Sequence, residues 1–183
     1  VGGIRNGAAS RLTLLNSTVS NNTANPSNSN GTGGGIENSG GILTVTNATI
    51  SGNSVSGGDI NGGGIFSNGP ASTTITNSTI TNNSVGGAAS SGGIYRALGT
   101  LTIRNSIIAG NVNNTNQPDV VAPGGGITSN GFNLIGNRGT GSFSTAAQAR
   151  ITLTDDILLG VEDGGFTITR EVSGFSALAM IWA

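Results

Sequence analysis

The residues of this sequence that could do acid–base chemistry are few. It holds eight Asp and Glu and seven Arg, with no Lys, His or Cys. Glycoside hydrolysis normally needs two carboxylates flanking the scissile bond. Polysaccharide elimination needs a base, often Arg or Lys, and commonly a Ca²⁺ ion held by several carboxylates. Glu37, Asp59 and Asp119 fall in different phases of the repeat set out below, so no two of them are expected on one face. The adjacent pairs Asp155/Asp156 and Glu162/Asp163 sit near the C-terminus, where turns and caps account for them. No catalytic residues are assigned, and the chain is not read as an enzyme. With no Cys or His, zinc, haem and iron–sulfur ligation are excluded, and no acidic Gly-rich calcium nonapeptide is present. No metal or other cofactor is expected. A net charge of -1 leaves no basic patch, so nucleic acid is excluded as a partner.

Binding chemistry has one starting point. Phe66 and Tyr95 each follow an Ile in consecutive repeats and should stack outward on one face, with Arg96 and Arg104 within reach of the same side. Two aromatics with Arg could hold a sugar ring or a protein partner. The competing reading, an aromatic cross-strand pair that steadies a β-ladder, is favoured. The matching positions Arg5, Glu37 and Thr128 are not aromatic, so no extended platform is written.

What must position these residues is a repeat. Gly-Gly-Ile recurs with its Ile at 4, 36, 65, 94 and 127, at steps of 32, 29, 29 and 33 residues. A second phrase follows the first four: Leu12–Asn16, Leu43–Asn47, Thr74–Asn77 and Leu101–Asn105. A third comes at once, Ser17–Ser20, Ala48–Ser51, Ser78–Thr81 and Ser106–Ala109, and runs into Asn22, Asn53, Asn83 and Asn111. Each phrase alternates apolar residues with Thr or Ser, which is strand periodicity. The composition agrees: charged residues are 8% of the chain, far below the ~25% usual for globular proteins, and glycine reaches 33 residues. Disordered chains are rich in charge and poor in Ile, Leu and Val, the reverse of this pattern. The expected fold is all-β, a single-stranded parallel β-helix of about five coils of ~30 residues, with three short strands per coil.

Stacking at ~4.8 Å would send the column Ile36/Ile65/Ile94/Ile127 into a shared core. The columns Leu14/Val45/Ile75/Ile103 and Val19/Ile50/Ile80/Ile108 should join it. Asn16, Asn47, Asn77 and Asn105 mark a corner, because Asn tolerates the left-handed region, and stacked in register they would form an Asn ladder. The Gly runs serve another corner. Residues Ala24 to Thr32 and Asn111 to Pro123 read as insertions on the side of the stack. The outward column Thr13/Thr44/Thr74/Thr102 is complete, while Thr18/Thr49/Thr79 and Ser20/Ser51/Thr81 are broken by Ile107 and Ala109, which argues against an ice-binding array.

Gly33-Gly34-Gly35-Ile36-Glu37-Asn38, followed by Leu43-Thr44-Val45-Thr46-Asn47-Ala48-Thr49-Ile50-Ser51-Gly52-Asn53, resembles the repeat of bacterial β-helix surface proteins of the choice-of-anchor Q family. It is also similar to polymorphic outer-membrane protein repeats. Pro118-Asp119-Val120 and Ser129-Asn130-Gly131-Phe132-Asn133-Leu134-Ile135-Gly136-Asn137 resemble the final coil of the former group. Asp156–Gly160 and Gly164–Thr169 are similar to its closing segment, with Asp156 and Arg170 where the family has Pro and His. The resemblance runs to about residue 170 and implies a right-handed coil, export and cell-surface display, with no shared catalytic residues.

The reading is therefore β-helix coils over 1–140 and an irregular closing or capping segment over 141–183. The function expected is that of a structural or adhesin-like display module of an exported bacterial protein, extracellular or at the cell surface. The alternative is a carbohydrate-binding or pectate-lyase-like polysaccharide-cleaving β-helix. Partners would be a surface glycan or a host or cell-surface protein. The segment is not expected to span a membrane, since the longest apolar run, Phe175 to Ala183, is well short of the ~20 residues a spanning helix needs. The sequence reads as part of a longer protein, and the open coil at Val1 is expected to be covered by upstream residues.

Overall fold

The computed structural model describes residues 1–25, 32–56, 61–86, 90–113, 119–123 and 127–137, and the backbone of the strands Ile157–Glu162 and Gly165–Thr169. Asp59, Asp155, Asp156 and Asp163 lie outside the described residues, as does the apolar run at the C-terminus. Among the described residues no helix is long and apolar enough to cross a membrane.

The chain winds as a β-solenoid of about four turns. Its first sheet stacks Ile4–Asn6, Ile36–Ser39, Ile65–Asn68, Ile94–Arg96 and Val120–Val121 in parallel. The second stacks Arg11–Leu15, Ile42–Thr46, Ser72–Thr76, Thr100–Arg104 and Ile127–Ser129. The third stacks Thr18–Ser20, Thr49–Ser51, Thr79–Thr81, Ile107–Ile108 and Leu134–Ile135. Ile157–Glu162 then adds in parallel to the third sheet, and Gly165–Thr169 adds antiparallel outside it. The stretch read as irregular thus contributes two regular strands.

Three strands per coil is an undercount. A fourth sheet joins Thr23–Ala24, Ser54–Val55, Ser84–Val85 and Val112–Asn113, and a two-stranded ribbon pairs Thr32–Gly33 with Asn61–Gly62. These strands are two residues long, too short to carry a periodicity that can be read from sequence.

Inside the stack, Ile36, Ile65, Ile94, Leu43, Val45, Ile75, Ile103, Ile50, Ile80 and Ile108 form one continuous buried core. Each such side chain contributes roughly 1.5–3 kcal/mol on burial. β-Branched residues suit this arrangement because each packs on its equivalents directly above and below.

One expected column is wrong at its last member. Ile94 pairs with Val120, not Ile127, and Ile127 pairs with Leu101 in the second sheet. Thr128 therefore stands opposite Thr102, and Val121 opposite Tyr95. Val120 can fill the core slot of an Ile, and Asp119 before it accepts the Ile94 N–H at 2.9 Å. The fifth Gly-Gly-Ile is left to enter the next face. As a result the outward Thr column spans five levels: Thr13, Thr44, Thr74, Thr102 and Thr128.

Candidate functional site

The outward column of the first sheet runs Arg5, Glu37, Phe66, Tyr95 and Val121 in direct register. Phe66 and Tyr95 do stack, with ring centroids 6.0 Å apart and planes 18° from parallel. They are not open to a ligand: Phe66 is 3% exposed and Tyr95 6%. Burial also pushes the Tyr95 hydroxyl above its usual pKa. The Thr32–Gly33/Asn61–Gly62 ribbon lies against the start of this column, so close that a Cβ on Gly33 or Gly62 would strike the backbone at Ile36–Glu37 or Ile65–Phe66. Glu37 is held by the same structure. It accepts from Thr32 Oγ1 at 3.2 Å and Ser39 Oγ at 2.7 Å, and pairs with Arg5 Nε at 3.3 Å.

The two arginines expected beside the aromatics go elsewhere. Arg104 lies on the second sheet, opposite Thr76, and is exposed. Arg96 points inward, because Ile94, Tyr95 and Arg96 alternate as any strand must. Its register partners are Ser67, Asn38 and Asn6, all buried. The guanidinium donates to the carbonyls of Gly99 at 2.9 Å, Ala122 at 3.3 Å and Pro123 at 3.4 Å, and burial lowers its pKa. Phe66, Tyr95, Arg96 and Arg104 are therefore not one site. The structure unites the aromatic pair and separates both arginines from it.

The dominant polar arrangement is instead a buried amide ladder. Asn22, Asn53, Asn83 and Asn111 each donate Nδ2–H to the next acceptor along the stack, at 2.8, 2.9, 2.8 and 2.7 Å. The same Oδ1 atoms of Asn53, Asn83 and Asn111 accept the backbone N–H of the preceding rung, at 3.1, 3.0 and 3.0 Å. The second Nδ2 protons go to backbone carbonyls, those of Val19, Ile50 and Ile80 for Asn53, Asn83 and Asn111. The ladder satisfies its own polar atoms, which is the condition for burying them.

The last acceptor is Asp119, and its origin is unexpected. By register it occupies the position of Gly93, Gly64 and Gly35, the residue before the core Ile. A Cβ on those glycines would come within 2.9–3.1 Å of the ladder asparagines Asn111, Asn83 and Asn53, so only glycine fits. Above Asn111 the column would continue at residue 138, which is Arg in the sequence. Asp119 reaches across and supplies the next rung from the opposite strand. Its Oδ1 accepts both the backbone N–H and Nδ2–H of Asn111 at 2.7 Å, and its Oδ2 accepts the Asn137 N–H at 2.6 Å. Three donors and no hydrogen to give explain why a carboxylate stands here and not an amide. Burial raises the Asp119 pKa, opposed by the hydrogen bonds from Asn111 and Asn137.

A second inner ladder mirrors the first. Asn6 Nδ2 donates to Asn38 Oδ1 at 2.8 Å, Asn38 Nδ2 to Thr73 Oγ1 at 3.1 Å, and Ser67 Oγ lies 3.1 Å from Thr73 Oγ1. Its column ends at Arg96, a donor to carbonyls, just as the first ends at an acceptor. Sequence reasoning missed both ends. Arg96 holds the third place after Gly-Gly, as Asn6, Asn38 and Ser67 do, and that signal could have placed it inside. The corner ladder expected at Asn16, Asn47, Asn77 and Asn105 is present but exposed. All four have φ between 45° and 52°, with side-chain bonds Asn47 to Asn16 at 3.2 Å and Asn105 to Asn77 at 2.7 Å.

The class defined by this geometry is a parallel β-solenoid in which one inner polar column ends at Asp119 and the other at Arg96. Compared with protein-family profiles, curated proteins and solved structures, the chain matches none.

Proposed function

We propose that the chain is a structural, adhesin-like display module of an exported bacterial protein, wound as a right-handed β-helix of the choice-of-anchor Q kind. The hand is that taken by about 98% of parallel crossovers. One observation carries the functional reading: the buried ionisable groups of the described residues bond to the stack itself. Glu37 is bound by Thr32, Ser39 and Arg5, Asp119 by Asn111 and Asn137, and Arg96 by backbone carbonyls. A catalytic centre needs such groups aimed at a substrate. Here they hold neighbouring coils together, while the outward face is Thr and Ser. Burial of the Phe66–Tyr95 pair also removes the stacking face on which a glycan-binding role would rest.

Intact bacteria producing the full-length protein should be labelled by an antibody raised against the solenoid, and whole-cell protease treatment should remove the label. Labelling that appears only after the cells are permeabilised would sink the display reading.

A further inference from the structure

Asparagine stands directly before glycine at Asn6–Gly7, Asn61–Gly62, Asn68–Gly69 and Asn130–Gly131 among the described residues, and at Asn30–Gly31 outside them. Such a pair is prone to lose its side-chain amide, because the glycine nitrogen can attack the Asn Cγ with no Cβ to crowd the approach. Attack needs a reachable amide carbon and an unengaged glycine N–H, and the fold treats the four described pairs differently. Asn6 is buried, with Nδ2 donating to Asn38 Oδ1 at 2.8 Å and to the Ile42 carbonyl at 3.0 Å. Asn61 is buried too. Its Oδ1 accepts the Thr32 N–H at 3.0 Å, and Gly62 is pressed against the backbone at Ile65–Phe66. Asn130 is exposed, but the Gly131 N–H donates to Ser129 Oγ at 3.3 Å.

Asn68 differs on both counts. It alternates outward after buried Ser67, and its exposed side chain has no hydrogen bond to the described residues. The Gly69 N–H likewise has no partner among the described residues. One level earlier the equivalent N–H, that of Gly40, donates to the Asn68 carbonyl at 2.9 Å. Gly69 would have to reach the Ala97 carbonyl for the same bond, and the corners no longer match there. The path from Ile65 to Ser72 is one residue longer than that from Ile94 to Thr100, although both ends pair in register. The Gly69–Pro70 corner takes up the extra residue, with Gly69 at a φ of 70°, and this leaves its N–H over.

We propose that Asn68 is a site of spontaneous modification in the folded protein, its amide cyclising onto the Gly69 nitrogen. The Gly69 N–H gives its proton to solvent, a bond forms from that nitrogen to Asn68 Cγ, and the Cγ–Nδ2 bond breaks to release ammonia. Water then opens the succinimide at either carbonyl. One opening leaves aspartate, and the other leaves isoaspartate, which carries the main chain through the β-carbon. Either product adds one negative charge to a chain whose net charge is -1. Isoaspartate also lengthens the corner by one backbone atom and displaces the carbonyl that holds the Gly40 N–H. That tie must give before the ring can close, so the folded chain reacts more slowly than the unfolded one. The chemistry needs only water and is independent of the display role.

The purified chain, held in mildly alkaline buffer, should gain acidic forms on anion exchange with the mass change of an amide turned to an acid. Peptide mapping should show Asn68 converting several-fold faster than Asn6, Asn61 or Asn130, with isoaspartate among the products. In heavy-oxygen water the new carboxyl should take up a solvent oxygen. In urea the same four pairs should react at similar rates, because the fold makes the selection. Asn68→Ser repeats the side chain of its register partner Ser39, so β-type circular dichroism should persist while the acidic form mapped to this corner disappears. An Asn68 that stays intact while the urea-unfolded chain reacts overturns the proposal, as does one that converts no faster than the other three in the folded chain. An acidic form at this corner that survives Asn68→Ser overturns it too. Should that variant fail to fold, the wild-type maps in buffer and in urea still decide.

Discussion

The first three levels and the last two of this solenoid obey different rules. In the first three, inner polar positions are mostly neutral amides or hydroxyls and outer positions are mostly Thr and Ser. Each level can do this because the next level repeats its chemistry, so every donor finds an acceptor ~4.8 Å further on. The last two levels depart from that pattern. There the Asn ladder takes its last acceptor from Asp119, the column Asn6/Asn38/Ser67 passes to Arg96, and outward Thr gives way to Ile107. A level that repeats its neighbour can stay neutral, whereas one where the column changes takes a group that only accepts or only donates.

Substitutions can break or sharpen this contrast. The largest effect is expected for Asn83→Ala in the repeating part, which strands the amide and backbone N–H of Asn53 and two further partners. At roughly 1–3 kcal/mol per buried group left unpaired, destabilisation should reach about 3–5 kcal/mol in urea unfolding. A loss below about 1 kcal/mol would show that water replaces the rung.

Asp119→Asn comes next. The new amide keeps one acceptor for Asn111 but turns a donor towards the Asn137 N–H, for an expected loss of about 1–3 kcal/mol. Its pH behaviour is the sharper test. The folded pKa of Asp119 is raised, so the native state holds this proton more tightly than the unfolded chain does. The associated stability is fully present below the unfolded carboxyl value of about 3.9 and is lost as pH rises through the folded value. Urea midpoints of the wild type should carry that decline, and those of Asp119→Asn should not.

Smaller effects should appear at the surface. Asn47→Gly keeps the left-handed corner and removes one exposed side-chain bond, so the change should stay within about 0.5 kcal/mol. Val112→Ser, which continues the Ser54/Ser84 column, should likewise be near neutral by thermal unfolding. A large loss there would mean that the apolar turn at level four is needed for folding.

Much of this was legible in the sequence because the repeat makes local signals recur. Period-two alternation placed Leu14/Val45/Ile75/Ile103 and Val19/Ile50/Ile80/Ile108 correctly, and Asn at 16, 47, 77 and 105 marked a left-handed corner. What failed was decided at long range. Gly-Gly-Ile at 125–127 is worded like its predecessors, and only pairing with Leu101 reveals that it serves another face. Phe66 and Tyr95 alternate outward as expected, yet a ribbon from elsewhere in the coil covers them. Asp119 joins a ladder whose other members come from a different corner, so no spacing within one column could point to it.

The amide ladder also has a polarity. Every Nδ2–H along Asn22, Asn53, Asn83 and Asn111 faces the same way, and the Asp119 carboxyl sits at the donor end. This is the arrangement of an acidic side chain at the start of an α-helix, here assembled from side chains in place of peptide groups. Such a row can be lengthened from within at no chemical penalty: a copied coil inserted between the second and third levels would meet the same donors below and the same acceptors above. Nothing could be copied in beyond Asp119 on those terms. The molecule is thus a ruler with one fixed end, whose length could vary by whole coils while its terminus stays unchanged.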